Sequence, residues 1–359
     1  MRSIFWFVSF AVLGVAGWLA WVLATPVTPP GQTIVMLRPG YSTRHIAAEL
    51  KSAGVIRSEE AFVLWHYLHR RRVLKAGEYL FDKPSDVIDI QKRLWRGDVY
   101  FHTVVVPEGF TMFDIARAIE AAGLGPGEDF VKVAQTDTAL IADLAPNAPS
   151  LEGYLFPETY QFTRMMTMQD MAAAMVCQFR IVARQIGLIA GENGSGESGP
   201  ARLCGLMSMR IREVNQSQDE SPTDLERTVI MASIIEKETA VPEERPLVAS
   251  VYYNRLAKRM ALDADPSIIY GELLAGTYSG ALHHDDMRFD SRYNTYRYAG
   301  LPPGPIGNPG KSALEAAMHP AQSDYYYFVA DAQGRHRFAK TMEEHNRNVD
   351  AYRRAMRGH

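Results

Sequence analysis

At 359 residues the chain is long enough for two or more domains, each able to bury a core of its own. Hydrophobic content of 47% and charged content of 22% are those of a globular protein and exclude a disordered one. A net charge of −3 provides no basic footprint, so DNA and RNA are set aside as partners.

Residues 4–24, IFWFVSFAVLGVAGWLAWVLA, carry no charge. At about 1.5 Å per residue this run matches a hydrocarbon core of roughly 30 Å. Trp6, Trp18 and Trp21 lie towards its ends, where amphipathic rings favour the headgroup region. The run is longer than the apolar part of a cleaved leader, about 7–15 residues, which predicts an uncleaved single transmembrane helix. Arg2 and the terminal amine give a small positive bias that keeps residues 1–3 as a cytoplasmic tail. The expected location is therefore the inner (cytoplasmic) membrane, with the rest of the chain outside the cytoplasm. Residues 25–32, TPVTPPGQ, read as an extended Pro-rich linker that lifts the next domain off the membrane.

A weak internal repeat follows. TIVMLRPGYSTRHIAAELKSAG begins at Thr33 and HTVVVPEGFTMFDIARAIEAAG at His102. Gly40 aligns with Gly109, Ile46 with Ile115, Ala47 with Ala116, Leu50 with Ile119 and Gly54 with Gly123. Each copy predicts a strand, a Pro/Gly turn, a Ser/Thr helix start and a helix ending at Gly. A further helix (59–72) and a short strand (78–81) are expected between them. The unit resembles LysM-type glycan-binding modules, although packing alone can make such a unit recur. Residues 33–149 are assigned to this LysM-like α/β region.

From residue 150 the pattern changes to long helices separated by loops rich in Tyr, Pro and Asn. Residues 191–222 read as a polar, flexible insertion in this larger, mostly helical domain. Only Cys177 and Cys204 occur; a disulfide is permitted outside the cytoplasm, but two isolated cysteines are more often small buried side chains. His283, His284, Asp285 and Asp286 invite a metal reading, which fails because adjacent residues rarely ligate one ion and no partner follows at helical spacing. No metal and no cofactor is expected.

The most informative stretch runs from Ser221 to Leu256, SPTDLERTVIMASIIEKETAVPEERPLVASVYYNRL. Thr223 and Glu226 form a capping-box signature, and Thr228–Ile235 is apolar on nearly every side. Glu236 continues the row of Leu225, Val229 and Ala232; Glu238 continues that of Arg227, Met231 and Ile234, about 200° round the helix. A carboxyl on a buried stripe is desolvated and its pKa rises, as a general acid near neutral pH requires. Periodicity favours Glu236 slightly and keeps Glu238 as a second acid candidate. Both also fit an ordinary polar helix end.

This stretch, with LDADPSIIYG, YNTYRYAGLPPGPIGNPG, AAMHPAQSDYYYFVAD, HRFAKTMEEHNRNV and LEGYLFPETYQF, resembles the YceG-like (MltG) endolytic murein transglycosylases over nearly the whole chain. The resemblance implies an α+β protein with a membrane helix, a LysM-like region and a catalytic domain over residues 150–359, with Pro/Gly-rich cleft loops. It also implies lytic cleavage of nascent peptidoglycan strands at the MurNAc–GlcNAc bond, leaving 1,6-anhydro ends, and peptidoglycan synthases as candidate partners. Its catalytic glutamate falls on Glu236. Glu152, Asp265, Tyr293, Asn294 and Tyr296 become candidates to bind sugar rings, and the loop at 301–310 becomes a candidate cleft wall. The roles of His319, His336 and His345 stay open. Two rival readings remain: a glycan hydrolase with Asp265 or Glu238 as second acid, and a non-catalytic wall-binding scaffold.

Overall fold

The computed structural model describes residues 2–69, 72–190 and 223–357; the 191–222 stretch read as an insertion lies outside them. The fold is mixed α+β, with helices dominating and strands in two-stranded sheets. The chain divides into two units: Met1–Thr103 with Gln161–Met166, and Val104–Tyr160 with Thr167–His359.

The first unit opens with α1 (Arg2–Ala24). Among the described residues no helix is long and apolar enough to cross a membrane; Ile4, Phe5 and Val8 of the apolar run have side chains outside them. Strand β1 (Thr33–Leu37) leads into α2 (Thr43–Ser52) and α3 (Glu59–Leu68), then β2 (Gly77–Phe81) and α4 (Val87–Arg96). β1 and β2 pair antiparallel with Val35 opposite Tyr79. Alternate residues on a strand share a face, and Val35, Leu37, Tyr79 and Phe81 are all buried. Leu50, Phe62, Ile90 and Leu94 close the core from the helices.

Val22 and Leu23, at the end of α1, belong to the same core. The segment after them is tied down rather than free. Val27 bridges Ser85, the Arg57 guanidinium donates to the Thr25 and Pro26 carbonyls (2.7 and 3.1 Å), and it lies over the Trp21 ring.

The second copy of the repeat begins with β3 (His102–Val105), continues through α5 (Met112–Ala121) and α6 (Gly127–Thr136), and ends in β4 (Thr159–Phe162), which pairs with β3. Both copies are therefore β-α-α-β. Ser42 and Thr111 cap α2 and α5, each accepting a backbone N–H three residues on. Gly40 and Gly109 share a positive φ (85° and 78°), as do Gly54 and Gly123 (70° and 71°). Most of the second copy falls in the second unit, not with the first.

Then come α7 (Met168–Gln185), α8 (Asp224–Glu238), α9 (Arg245–Ala257), α10 (Asp265–Ala275) and α11 (Lys311–Met318), the hairpin β5 (Tyr327–Ala330) and β6 (His336–Ala339), and α12 (Met342–Arg357). The expected capping box of Thr223 and Glu226 starts α8. Residues 229–235 of α8 are buried all round, because α9, α10 and α11 pack against it. Cys177, on α7, is disulfide-bonded, where a small buried thiol was the expectation; Cys204 lies outside the described residues.

Candidate active site

The last turn of α8 sends its two acids to opposite sides. Glu236 faces α9 and α11. Its Oε1 accepts from Arg245 Nη2 at 2.7 Å and its Oε2 from the Gly310 amide at 3.0 Å. Both side chains of this pair are only 5% exposed. Arg245 also reaches Glu108 Oε2 (3.4 Å) and Ser312 Oγ (2.6 Å). Burial raises the pKa of Glu236, but the Gly310 amide, Arg245 and Lys237 oppose that rise. Each oxygen of Glu236 is thus committed to a donor inside the protein.

Glu238 faces a cavity of about 410 Å³, walled also by Tyr252 and Arg255 of α9, Asp263, Asp265, Tyr296, and residues of the β5–β6 hairpin and α12, among them His345. Tyr252 OH donates to Glu238 Oε1 at 2.7 Å, and Oε2 makes no hydrogen bond among the described residues. Burial is the main cause that pushes Glu238 up to about 7; the nearby Asp265 adds to the rise, while the Tyr252 hydroxyl and Arg255 oppose it. Asp265 itself accepts from Tyr296 OH at 2.6 Å. Asp263 holds a φ of 53° beside the cavity, fixed by Arg255 (2.9 Å). Burial, then Arg255, lower the pKa of His345, which stacks against Tyr327.

The sequence-stated candidates therefore separate. Asp265, Tyr296 and the second acid candidate Glu238 meet at the cavity; Glu236 is not among its lining residues. Glu152 is fully buried and cannot touch a sugar. It accepts from the Met112 amide at the start of α5 (2.9 Å) and from Asn308 Nδ2 (2.6 Å), and burial pushes it up to about 7. Asn294 is also fully buried, donating to the Met287 and Phe289 carbonyls and accepting from the Tyr296 amide. Tyr293 packs edge-on against Tyr270, away from the cavity.

The loop at 301–310 is fixed, since Asn308 Oδ1 accepts from the Gly153 and Leu155 amides (2.8 and 2.9 Å). It does not wall the acid's cavity; Pro303, Gly304 and Pro305 line a separate one of about 210 Å³. His336 pairs with Glu244 (2.8 Å), and Asp286 Oδ2 accepts the His283 amide. Sequence reasoning missed Tyr252 and Arg255. Their spacing of three on α9 puts them on one face, a signal that was present but not specific.

A desolvated carboxyl at the wall of a polar, tyrosine-lined cavity, with one oxygen held and the other without a hydrogen bond among the described residues, is the equipment of a general acid/base enzyme. Comparison with known proteins narrows that class. The model of the YceG-like family matches residues 35–351. An endolytic murein transglycosylase of Bacillus subtilis is 32% identical over 92% of this chain and 88% of its own length. One of Streptococcus pneumoniae is 28% identical over 86% of this chain and 56% of its own length. A yceG-like protein of Listeria monocytogenes, solved at 2.6 Å, superposes with a TM-score of 0.54 at 30% identity, over 88% of this chain and 98% of that one. The chain belongs to the YceG-like family.

Proposed function

We propose that this chain is an endolytic peptidoglycan lytic transglycosylase and that Glu238, rather than Glu236, is its acid/base. The observation that carries this reading is Glu238 at the wall of the tyrosine-lined cavity, its Oε1 bonded to Tyr252 and its Oε2 without a hydrogen bond among the described residues, on a carboxyl raised to about 7. A group with that pKa is substantially protonated near neutral pH and can both give and take a proton. Protonated Glu238 delivers its proton to the glycosidic oxygen of a MurNAc–GlcNAc bond, which breaks. The resulting carboxylate takes the proton of the sugar's C6 hydroxyl, and that oxygen attacks the anomeric carbon. The product is a 1,6-anhydro end, no water is consumed, and Glu238 is reprotonated. Glu236, held by Arg245 and the Gly310 amide, fixes the end of α8.

Asp265 supports a second reading. Its presence in the same cavity provides the two carboxylates of a glycoside hydrolase. The products separate the two. On uncrosslinked glycan polymer the transglycosylase releases internal fragments one water lighter than hydrolysis products, read by mass spectrometry. Glu238→Gln is expected to lower that activity by about 10²–10⁴-fold. Reducing-end products would establish the hydrolase, and an active Glu238→Gln enzyme would remove Glu238 from the chemistry.

The reading extends to the rest of the chain. Trp6, Phe7, Phe10, Leu13, Trp18 and Trp21 are all exposed on α1, which supports its insertion into the inner membrane; the positive bias of Arg2 and the terminal amine supports placing the remainder outside the cytoplasm. The two β-α-α-β copies, which run from Thr33 to Phe162, support glycan binding, and peptidoglycan synthases are partners consistent with action on nascent strands.

A further inference from the structure

We infer that Tyr252 is a positioning residue that assigns the catalytic proton to Oε2 of Glu238, the oxygen without a hydrogen bond among the described residues; this rests on Glu238 being the acid. A carboxylic acid has two oxygens, and a proton on the wrong one points away from the substrate. Tyr252 removes that ambiguity. It is buried against Phe328, edge-on at 5.7 Å, and its hydroxyl lies 2.7 Å from Oε1. Its phenol is raised well above the usual value by burial and by Glu238, so it keeps its proton and acts as a donor. Oε1 is then the acceptor whether Glu238 is charged or neutral. When Glu238 is neutral, its proton sits on Oε2 and is already aimed at the glycosidic oxygen. After the transfer, Oε2 is again the free base for the C6 hydroxyl, while Oε1 stays bound to Tyr252. No side-chain rotation is needed between the two halves of the reaction, which is the benefit of a preorganised group.

Position 252 is also separated from the other structural ties of the site. Glu236 is anchored through Arg245 and Gly310, and Arg255 through the carbonyls of Ala261, Leu262 and Tyr326. Removing the phenolic oxygen alone therefore leaves both networks in place.

The test is Tyr252→Phe, which keeps the ring. The hydroxyl favours the charged form of Glu238, so its loss raises the Glu238 pKa. A bond to a charged group corresponds to a shift of about one pH unit or more. The activity limb that falls as pH rises should move up by that amount. kcat is expected to drop by about ten-fold or more, with KM nearly unchanged. A carboxyl ¹³C titration of Glu238 in wild-type and Tyr252→Phe protein reads the same shift without turnover, provided circular dichroism shows equal folding. Tyr252→His, a smaller ring that retains a donor, covers the case in which the Phe variant does not fold; partial retention of kcat supports positioning. An unmoved titration, or a loss confined to KM, overturns the inference. Activity persisting in Glu238→Gln would instead overturn the assignment of the acid, a separate outcome.

Discussion

Glu236 and Glu238 are two residues apart, and burial raises the pKa of both, but they differ in what faces them: Arg245 and the Gly310 amide against the Tyr252 hydroxyl. Glu238 ionises at about 7 in the fold against about 4.3 for a free glutamate, so between these values the folded state holds a proton that the unfolded state has released. Stability from this group is greatest below pH 4 and falls as pH rises through 7. Glu238→Gln should accordingly raise Tm at pH 8 by about 2–4 °C and leave it nearly unchanged at pH 4. Glu236→Gln removes the charge facing buried Arg245, and Glu108 at 3.4 Å is the remaining carboxylate; Tm is expected to fall at pH 8, with less than ten-fold loss of kcat. Calorimetry at the two pH values checks both. A lowered Tm in Glu238→Gln at pH 8 contradicts the burial argument. The different surroundings of these two acids were not legible in the sequence. Periodicity shows that two rows of α8 are apolar, but not that Arg245 and Gly310 would enclose one of them. Glu152 and Asn294 misled for a related reason: sugar-binding side chains are also those that knit buried loops.

At the scale of elements the sequence was more readable, because caps and turns are local. Thr223 with Glu226, and Thr111 and Ser42 at the repeat helices, all start helices where expected. The repeat was recoverable from five aligned positions, and those positions recur as matching φ values and buried side chains. Its second helices and the closing strand of the second copy were not recognised as part of the unit. Their residues have no counterpart in the first copy's sequence; only the packing recurs. If the first copy binds glycan, the stacked rings of Tyr41 and His45, 3.9 Å apart at the corner into α2, are suited to sit against a sugar face. Tyr41→Ala combined with His45→Ala should weaken retention on purified sacculi several-fold while kcat on soluble polymer stays the same. Equal retention would leave the unit as packing.

At the scale of the whole molecule, the division between α1 and the domain after it is less clean than the composition of residues 25–32 implied. A Pro-rich stretch reads as a spacer, yet here it is held by Arg57 and Ser85. The core of the first unit borrows Val22 and Leu23 from α1. Deleting residues 1–24 removes two buried aliphatic side chains, each worth about 1.5–3 kcal/mol, and the Trp21 ring beneath Arg57. A chain beginning at Trp18 retains them. The longer chain should unfold several degrees higher and aggregate less; equal Tm values would show that the end of α1 contributes nothing to the domain.

The turn that opens each β-α-α-β copy has one further consequence. Gly40 looks onto open space, whereas a Cβ on Gly109 would stand 3.4 Å from Cγ of Glu236, and the Gly109 amide is spent on the Asn308 carbonyl. The residue before it differs in kind: Pro39 in one copy, Glu108 beside Arg245 in the other. The copies are alike as shapes and not interchangeable as parts. Grafting residues 38–42 over 107–111 would reproduce the bend and its glycine, but it would set a proline where Arg245 now finds its second carboxylate. The first turn has room around its glycine, and the second is bound to the ion pair that holds the end of α8.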